Sequence, residues 1–488
     1  MGQHWKKIWV GSAGNMVEWF DWFVYASFAT YFAGSFFPAG NDTAKLMNTA
    51  GIFAVGFFMR PVGGWLLGRV GDRKGRKAAL TLTVTLMSVS AVLIAIAPTY
   101  GVAGYGGVAV LLIARLLQGL SVGGEYAASA TYLTEASAPG RRGFASSFQY
   151  VSMTAGQILG LGLQILLQHT LSSDELHSWG WRIPFVVGAL GAAVIFYLRR
   201  NMLETDAYEA IETGTAAAVD IAPRDAVTAG AAGVSGGAGG AGRAGGAVAA
   251  GGADGDGRTA GAGAAVAEDD RGTIRALLRH KREAFLVIAL TMGGTVAYYT
   301  YTTYLTKYLS NSAGLPKQTA TLVSFCALLV FACLQPLAGA LSDRVGRRPL
   351  LITFAVGSTF LTVPIMTMLK HAGSFWPALG LSLLALVVVT GYTSINACVK
   401  AELFPTAIRS LGVALPYAIA NALFGGTAEY VALWFKNAGI ESGFYWYVAG
   451  CAAVSLVVYL TMRETKDIDL KGARGGEETS RTPEVTAS

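Results

Sequence analysis

Apolar stretches of about 20 residues recur along the whole chain, each long enough to cross a hydrocarbon core roughly 30 Å thick. They predict twelve spans, at 8–37, 47–70, 78–97, 106–134, 144–168, 182–200, 284–310, 318–342, 349–369, 376–400, 410–434 and 443–463. Lipid leaves no water for unpaired backbone groups, so every span is predicted to be a helix. The fold class implied is an all-α integral membrane protein. Lys6 and Lys7 before the first stretch look like the start of a signal peptide. Glu18 and Asp21 interrupt its centre, however, and no small-residue cleavage site follows, so the span is expected to be retained.

Composition agrees with this pattern: 53% of the 488 residues are hydrophobic and 14% charged, against roughly 25% charged in soluble domains. The net charge of +7 invites a nucleic-acid reading until the basic residues are located. They sit in alternate loops: Lys6/Lys7, Arg69 to Lys77, Arg141/Arg142, Arg199/Arg200 with Arg275 to Arg282, Arg344 to Arg348, Arg409 and Arg463/Lys466. The other loops hold little beyond Lys45, Lys317, Lys370 and Lys436. By the positive-inside rule both termini and the central loop are expected in the cytoplasm, and no nucleic-acid partner is expected. Cys326, Cys333, Cys398 and Cys451 all fall inside spans, without metal-ligand spacing. They read as small buried hydrophobes, and no metal or cofactor is expected.

The chain also repeats. GRVGDRKGRK (Gly68 to Lys77) after the second span is answered by GALSDRVGRR (Gly339 to Arg348) after the eighth. LTEASAPGRRG (Leu133 to Gly143) after the fourth is answered by AELFPTAIRSLG (Ala401 to Gly412) after the tenth. Two pseudo-symmetric six-helix bundles follow, at 1–204 and 276–463, with a cytoplasmic tail at 464–488. Residues 205–275 between them are Gly/Ala-rich and too poor in apolar side chains to offset chain entropy, so a disordered linker is expected there. Tandem halves with matched loops are the architecture of transporters that rock around a midplane site. A membrane sensor docking a partner through the linker is the rival from another class, although nothing in the Gly/Ala composition resembles a binding motif. No nucleophile–base set appears, so an enzyme is not expected.

The Gly-x-x-x-Asp-Arg-x-Gly-Arg-Lys/Arg loops resemble the signature of the major facilitator superfamily. NMVEWFD (Asn15 to Asp21), MRPVGGW (Met59 to Trp65), RLLQGLSVGGEY (Arg115 to Tyr126) and WGWRIPF (Trp179 to Phe185) resemble its metabolite:proton symporter family. QHT (Gln168 to Thr170), TTYLTKYL (Thr302 to Leu309), KAELFP (Lys400 to Pro405) and NALFGGTAEYVAL (Asn421 to Leu433) look like the α-ketoglutarate-importing members of that family. The resemblance implies the major facilitator fold and proton-coupled import of α-ketoglutarate, with citrate, shikimate or another organic acid as the alternative. It further implies a bacterial inner-membrane carrier, working as a monomer with lipid, substrate and protons as its partners. No nucleotide-binding loop is present, so the proton-motive force is the expected energy source.

Charges at mid-helix depth cost about 2.5–3.5 kcal/mol on insertion scales and usually mark a pathway. In the first span Asn15, Glu18, Trp22 and Tyr25 recur at i, i+3, i+7, i+10, a stripe expected to face the cavity, with Asp21 beside it. Glu18, Asp21 and, on the fourth span, Glu125 are candidate proton carriers; Glu18 and Asp21 could instead simply pair with basic neighbours. Arg60, before Pro61, and Arg115 are the first candidates for gripping a dicarboxylate, because a planar guanidinium holds carboxylate bidentately. Gln118 leans to the side of Arg115. Tyr304 and Lys307 on the seventh span complete the substrate-binding candidates, against an alternative in which the tyrosines anchor near the interface and Lys307 snorkels outward. Arg182 reads as an interface anchor. In the repeated loops Asp72, Arg76, Arg142, Asp343, Arg347 and Arg409 are candidates for a cytoplasmic gate whose ion pairs break as the halves rock; topology-setting charge is the alternative. The expected mechanism has Asp21 or Glu125 holding an arginine in the empty site until protonation frees it for substrate.

Overall fold

A computed structural model describes residues 2–74, 76–135, 140–200, 274–404 and 409–466. The expected linker at 205–275 lies almost wholly outside these residues, as does most of the 464–488 tail. So do the side chains of Asp72, Arg76, Glu125 and Arg409.

Twelve long helical elements are present among the described residues. The first six are α1 (Gly2–Phe36), α2 (Asp42–Lys74), α3 (Arg76–Ile96), α4 (Tyr105–Glu135), α5 (Arg142–Thr170) and α6 (Ile183–Arg200). The second six begin with α7, which runs Lys281–Tyr299, then a π-helical Thr300–Tyr304, then Leu305–Asn311. They continue with α8 (Lys317–Val345), α9 (Arg347–Lys370) and α10 (Phe375–Thr393 and, after a break, Asn396–Glu402). α11 runs Arg409–Ala420, a π-helical Asn421–Gly425 and Ala428–Asn437, and α12 is Ser442–Thr461. Among the described residues ten stretches are long and apolar enough to cross a membrane, and Thr81–Ile96 of α3 is a shorter apolar helix. Within α2, Pro61 sits inside the helix without ending it.

Glycines set how closely α2 and α4 approach. A Cβ on Gly63 would strike the Leu120 carbonyl, and one on Gly119 or Gly123 would strike the carbonyls of Gly56 or Arg60. Backbones therefore touch, as small residues permit between helices in lipid. The Gly residues of the MRPVGGW and RLLQGLSVGGEY segments thus bring Arg60 and Arg115 to one place.

Among the described residues the two sets of six helices meet along several seams, three of which enclose the centre and its ends. α5 and α8 cross at Gly143 and Gly339, where a Cβ on Gly339 would lie 2.5 Å from the Gly143 carbonyl oxygen. α2 meets α11 through Phe57 against Gly426 and Gly51 against Tyr430, and Phe23 of α1 lies 6.4 Å from Tyr299 of α7 between ring centroids. At the end of the bundle opposite the basic loops, Gln168 of α5 donates to Tyr31 at 2.7 Å and to Thr321 of α8 at 3.2 Å. Both ends of the molecule are bridged, and the centre is enclosed.

Candidate functional site

The centre is built around Trp22 of α1, which is 1% exposed. The Arg60 guanidinium carbon lies 4.4 Å from its ring centroid and that of Arg115 lies 4.1 Å away. Trp19 and Phe57 complete the aromatic surround of Arg60, at 5.2 and 4.1 Å. Tyr25 and Phe53 do so for Arg115, at 4.4 and 4.7 Å. A guanidinium over an aromatic face is stabilised by the ring quadrupole while its edge N–H groups stay available. On both arginines Nε and Nη2 are buried without a hydrogen-bond partner, and the Trp22 Nε1–H is in the same condition. Buried donors are normally satisfied, so donors converging on one region and left open mark a place where an acceptor-rich ligand fits.

Asp21 and Arg115 are joined through an intermediary. Arg115 Nη1 donates to Gln118 Oε1, and Gln118 Nε2 donates to Asp21 Oδ2. The other carboxylate oxygen, Asp21 Oδ1, is buried without a partner. Gly188 of α6 makes room for it, since a Cβ there would stand 2.6 Å from that oxygen. Glu18 is also buried, at 4% exposure.

Of the sequence-derived candidates, Asp21, Arg60, Arg115 and Gln118 come together around Trp22. The polar stripe of α1 does not open on one space: Asn15 donates to Ser152 of α5 at 2.6 Å and accepts from Trp19. Lys307 does not snorkel outward. Its side chain is 2% exposed and its ammonium is ion-paired with Glu429 of α11, a residue absent from the candidate set. Tyr304 is packed by Tyr308 and by Phe444 of α12, with centroids at 6.0 and 5.7 Å. Arg182 covers Trp181 at 4.2 Å and donates to the Ala97 carbonyl.

At the basic end, Asp343 of α8 accepts from the backbone N–H groups of Gly143 and Phe144, at 2.8 and 2.9 Å. These are open amides of the first turn of α5, so a carboxylate from one half caps a helix of the other. Arg347 Nη1 holds Asp343 at 2.8 Å and Ser342 Oγ at 2.6 Å, and Arg347 Nη2 lies 3.7 Å from Glu402. Arg142 lies within electrostatic reach of Glu402. Glu464, after α12, accepts from the N–H groups of Arg347 and Arg348. Glu402 and Glu464 were not singled out in the sequence; the signal available was a carboxylate just past or inside an apolar span.

The profile of the family described as sugar (and other) transporter matches residues 7–225 and 257–474. The chain belongs to that family of the major facilitator superfamily. The alpha-ketoglutarate permease of Escherichia coli (strain K12) is 42% identical to this transporter over 460 residues, 94% of each chain. The citrate-proton symporter of Klebsiella pneumoniae is 30% identical over 415 residues, 85% of this chain and 82% of that one. Among solved structures, a proton:xylose symporter of the major facilitator superfamily aligns with a TM-score of 0.70 at 19% identity, covering 95% of this transporter and 96% of that chain. A partially occluded inward-open form of the Escherichia coli xylose transporter aligns at 0.65 and 19% identity, over 92% and 97%. This transporter therefore has the twelve-helix fold of the superfamily, in two six-helix bundles, and is a multi-pass membrane protein. The work its residues do is transport rather than catalysis of a covalent change.

Proposed function

We propose that this transporter imports α-ketoglutarate together with protons, by alternating access between the halves 1–204 and 276–463. The observation that carries the reading is the pair of open guanidinium groups, Arg60 and Arg115, against one indole, with Arg115 tied through Gln118 to the buried carboxylate of Asp21. Two cations suit a dianion, and a guanidinium edge suits a carboxylate. The likeness to a permease whose name states α-ketoglutarate supports that choice of substrate; the citrate-proton symporters support citrate as the second choice. The alternating basic loops support a topology with the basic end and both termini in the cytoplasm of a bacterial inner membrane. The carrier works as a monomer, each chain holding its own site.

In the empty site, ionised Asp21 draws Gln118, and Gln118 in turn holds Arg115. Protonating Asp21 removes the negative end of that relay, so the field of Arg115 falls on the incoming substrate. The loaded halves rock, the Asp343 cap on α5 parts, and the proton and anion leave on the cytoplasmic side. Each proton carried with the dianion offsets about 2.3 kcal/mol per 100 mV of the work of moving its negative charge inward against an inside-negative potential.

Uptake of labelled α-ketoglutarate into proteoliposomes, with and without an inward proton gradient, tests this. Accumulation above equilibrium is expected only with the gradient. Gradient-independent accumulation would sink the coupling, and uptake of citrate in preference would move the substrate to the second choice.

A further inference from the structure

The mechanism above employs Asp21 of α1 and leaves the buried carboxylate of Glu429 on α11 without a task. Glu429 stands one turn past the π-helical Asn421–Gly425 of α11, and Lys307 stands one turn past the π-helical Thr300–Tyr304 of α7. Their side chains are 4% and 2% exposed. Glu429 Oε1 takes the Lys307 ammonium, while Oε2 is buried without a partner. Among the described residues, Lys307 of α7 is ion-paired with Glu429, and Tyr304 of α7, Tyr25 of α1 and Arg115 of α4 lie within its electrostatic reach. The pair therefore adjoins the guanidinium site.

Burying both members of an ion pair is costly, and such a pair often adds less stability than an apolar pair would; its best-attested use is as a register or switch element. The surroundings favour a switch. Lys307 lines a small pocket on the α1–α7 seam with Ser27, Thr30, Gln164, Thr303 and Lys317, and Lys317 is exposed at the outer end of α8. Hydroxyl and amide groups thus line the space between exposed Lys317 and the Lys307 member of the buried pair. The wide π turns immediately before each partner, a feature frequent at functional sites, allow the outer parts of α7 and α11 to reset when the pair opens.

We propose that Glu429 is a second proton-carrying carboxylate, whose protonation releases Lys307 to receive a substrate carboxylate on the outer approach to Arg115. The proposal rests on the proton-symport reading. The proton arrives from outer water, resides on Glu429 Oε2, and leaves to the cytoplasm once the halves have rocked. Lys307 keeps its own protons throughout and returns to ionised Glu429 when the substrate has gone.

The test is a zero-flux titration in proteoliposomes, with the membrane potential clamped at zero and pH kept near neutral so that both substrate carboxyls stay ionised. At each imposed pH difference one finds the α-ketoglutarate ratio that gives no net flux. Every proton carried with the substrate multiplies that ratio by about tenfold per pH unit. Glu429→Gln is expected to remove one such factor, and the double variant Lys307→Gln/Glu429→Gln, which leaves no lone buried charge, is expected to remove the same factor. A purely structural pair would change rates and expression but not this slope. Wild-type slope in either folded variant overturns the proposal, and should the single variant fail to fold, the double variant decides. A wild-type protein with no slope at all would instead overturn the symport reading itself.

Discussion

Asp343→Asn isolates the contribution of the Asp343 cap to closure of the basic end. The aspartate gives α5 two charge-assisted hydrogen bonds, at 2.8 and 2.9 Å, across the boundary between the halves. Asparagine keeps one acceptor oxygen and turns the other into an NH2 that faces an N–H. One bond to a charged acceptor is therefore lost, about 1.5–3 kcal/mol, together with the favourable placement of negative charge at a helix N-terminus, about 0.3–1 kcal/mol. Arg347 keeps Ser342 and Glu402, which recovers part of the loss. A net shift of about 2 kcal/mol changes the population of the form open at the basic end about 30-fold. Ser147, which is 0% exposed and lies beside Gly339 at the α5–α8 crossing, provides the probe. In a background lacking the four native cysteines, Ser147→Cys is reacted from the side of the basic loops with a membrane-impermeant maleimide. Labelling is expected to be about 30-fold faster with Asp343→Asn than without it. A change under twofold would show that the cap does not hold the halves, and that the closure rests on packing alone.

Gly143→Ala is expected to act in the same direction, because its Cβ would stand 2.5 Å from Arg347 Nη1 and 2.6 Å from the Gly339 carbonyl oxygen; overpacking of this kind costs about 1–3 kcal/mol, and the same labelling assay reads it. Arg60→Lys and Arg115→Lys keep the charge but lose the planar fork, so the half-saturating α-ketoglutarate concentration is expected to rise by about tenfold or more; normal half-saturation in both folded variants would remove these residues from the substrate site. Glu464 is partly buried, which raises its carboxyl pKa, but bonds from the backbone N–H groups of Arg347, Arg348, Lys466 and Thr465 outweigh this and hold it below the usual value. A depressed folded-state pKa gives stability that is present above the unfolded value of about 4.3 and lost as pH falls through the folded one. Thermal unfolding in detergent should show Glu464→Gln less stable than wild type near pH 7, with the gap closing below about pH 4; a gap independent of pH would refute the capping role.

The sequence by itself determined the solvent, the spans and the repeat. Lipid acts on each stretch of about 20 residues separately, so hydropathy reads helices without knowledge of their partners. The glycines of α2 and α4 were legible as motifs, and Arg60 and Arg115 stood out because a charge at that depth is costly wherever its neighbours lie. Which groups those charges meet was a different matter. Gln118 serves as an intermediary between Arg115 and Asp21, which lie on different helices, and one-dimensional spacing does not show that an amide faces both. Lys307 read as a substrate-binding cation, with a residue reaching for water as the alternative, until α11 brought Glu429 against it from 122 positions away. Asp343 read as a partner for arginines, yet much of its hydrogen bonding goes to backbone amides, which every residue but proline carries and no side-chain motif reveals. Tertiary structure alone decided these pairings, because a buried charge is stabilised by whichever donor the fold delivers, and delivery depends on how helices distant in sequence pack.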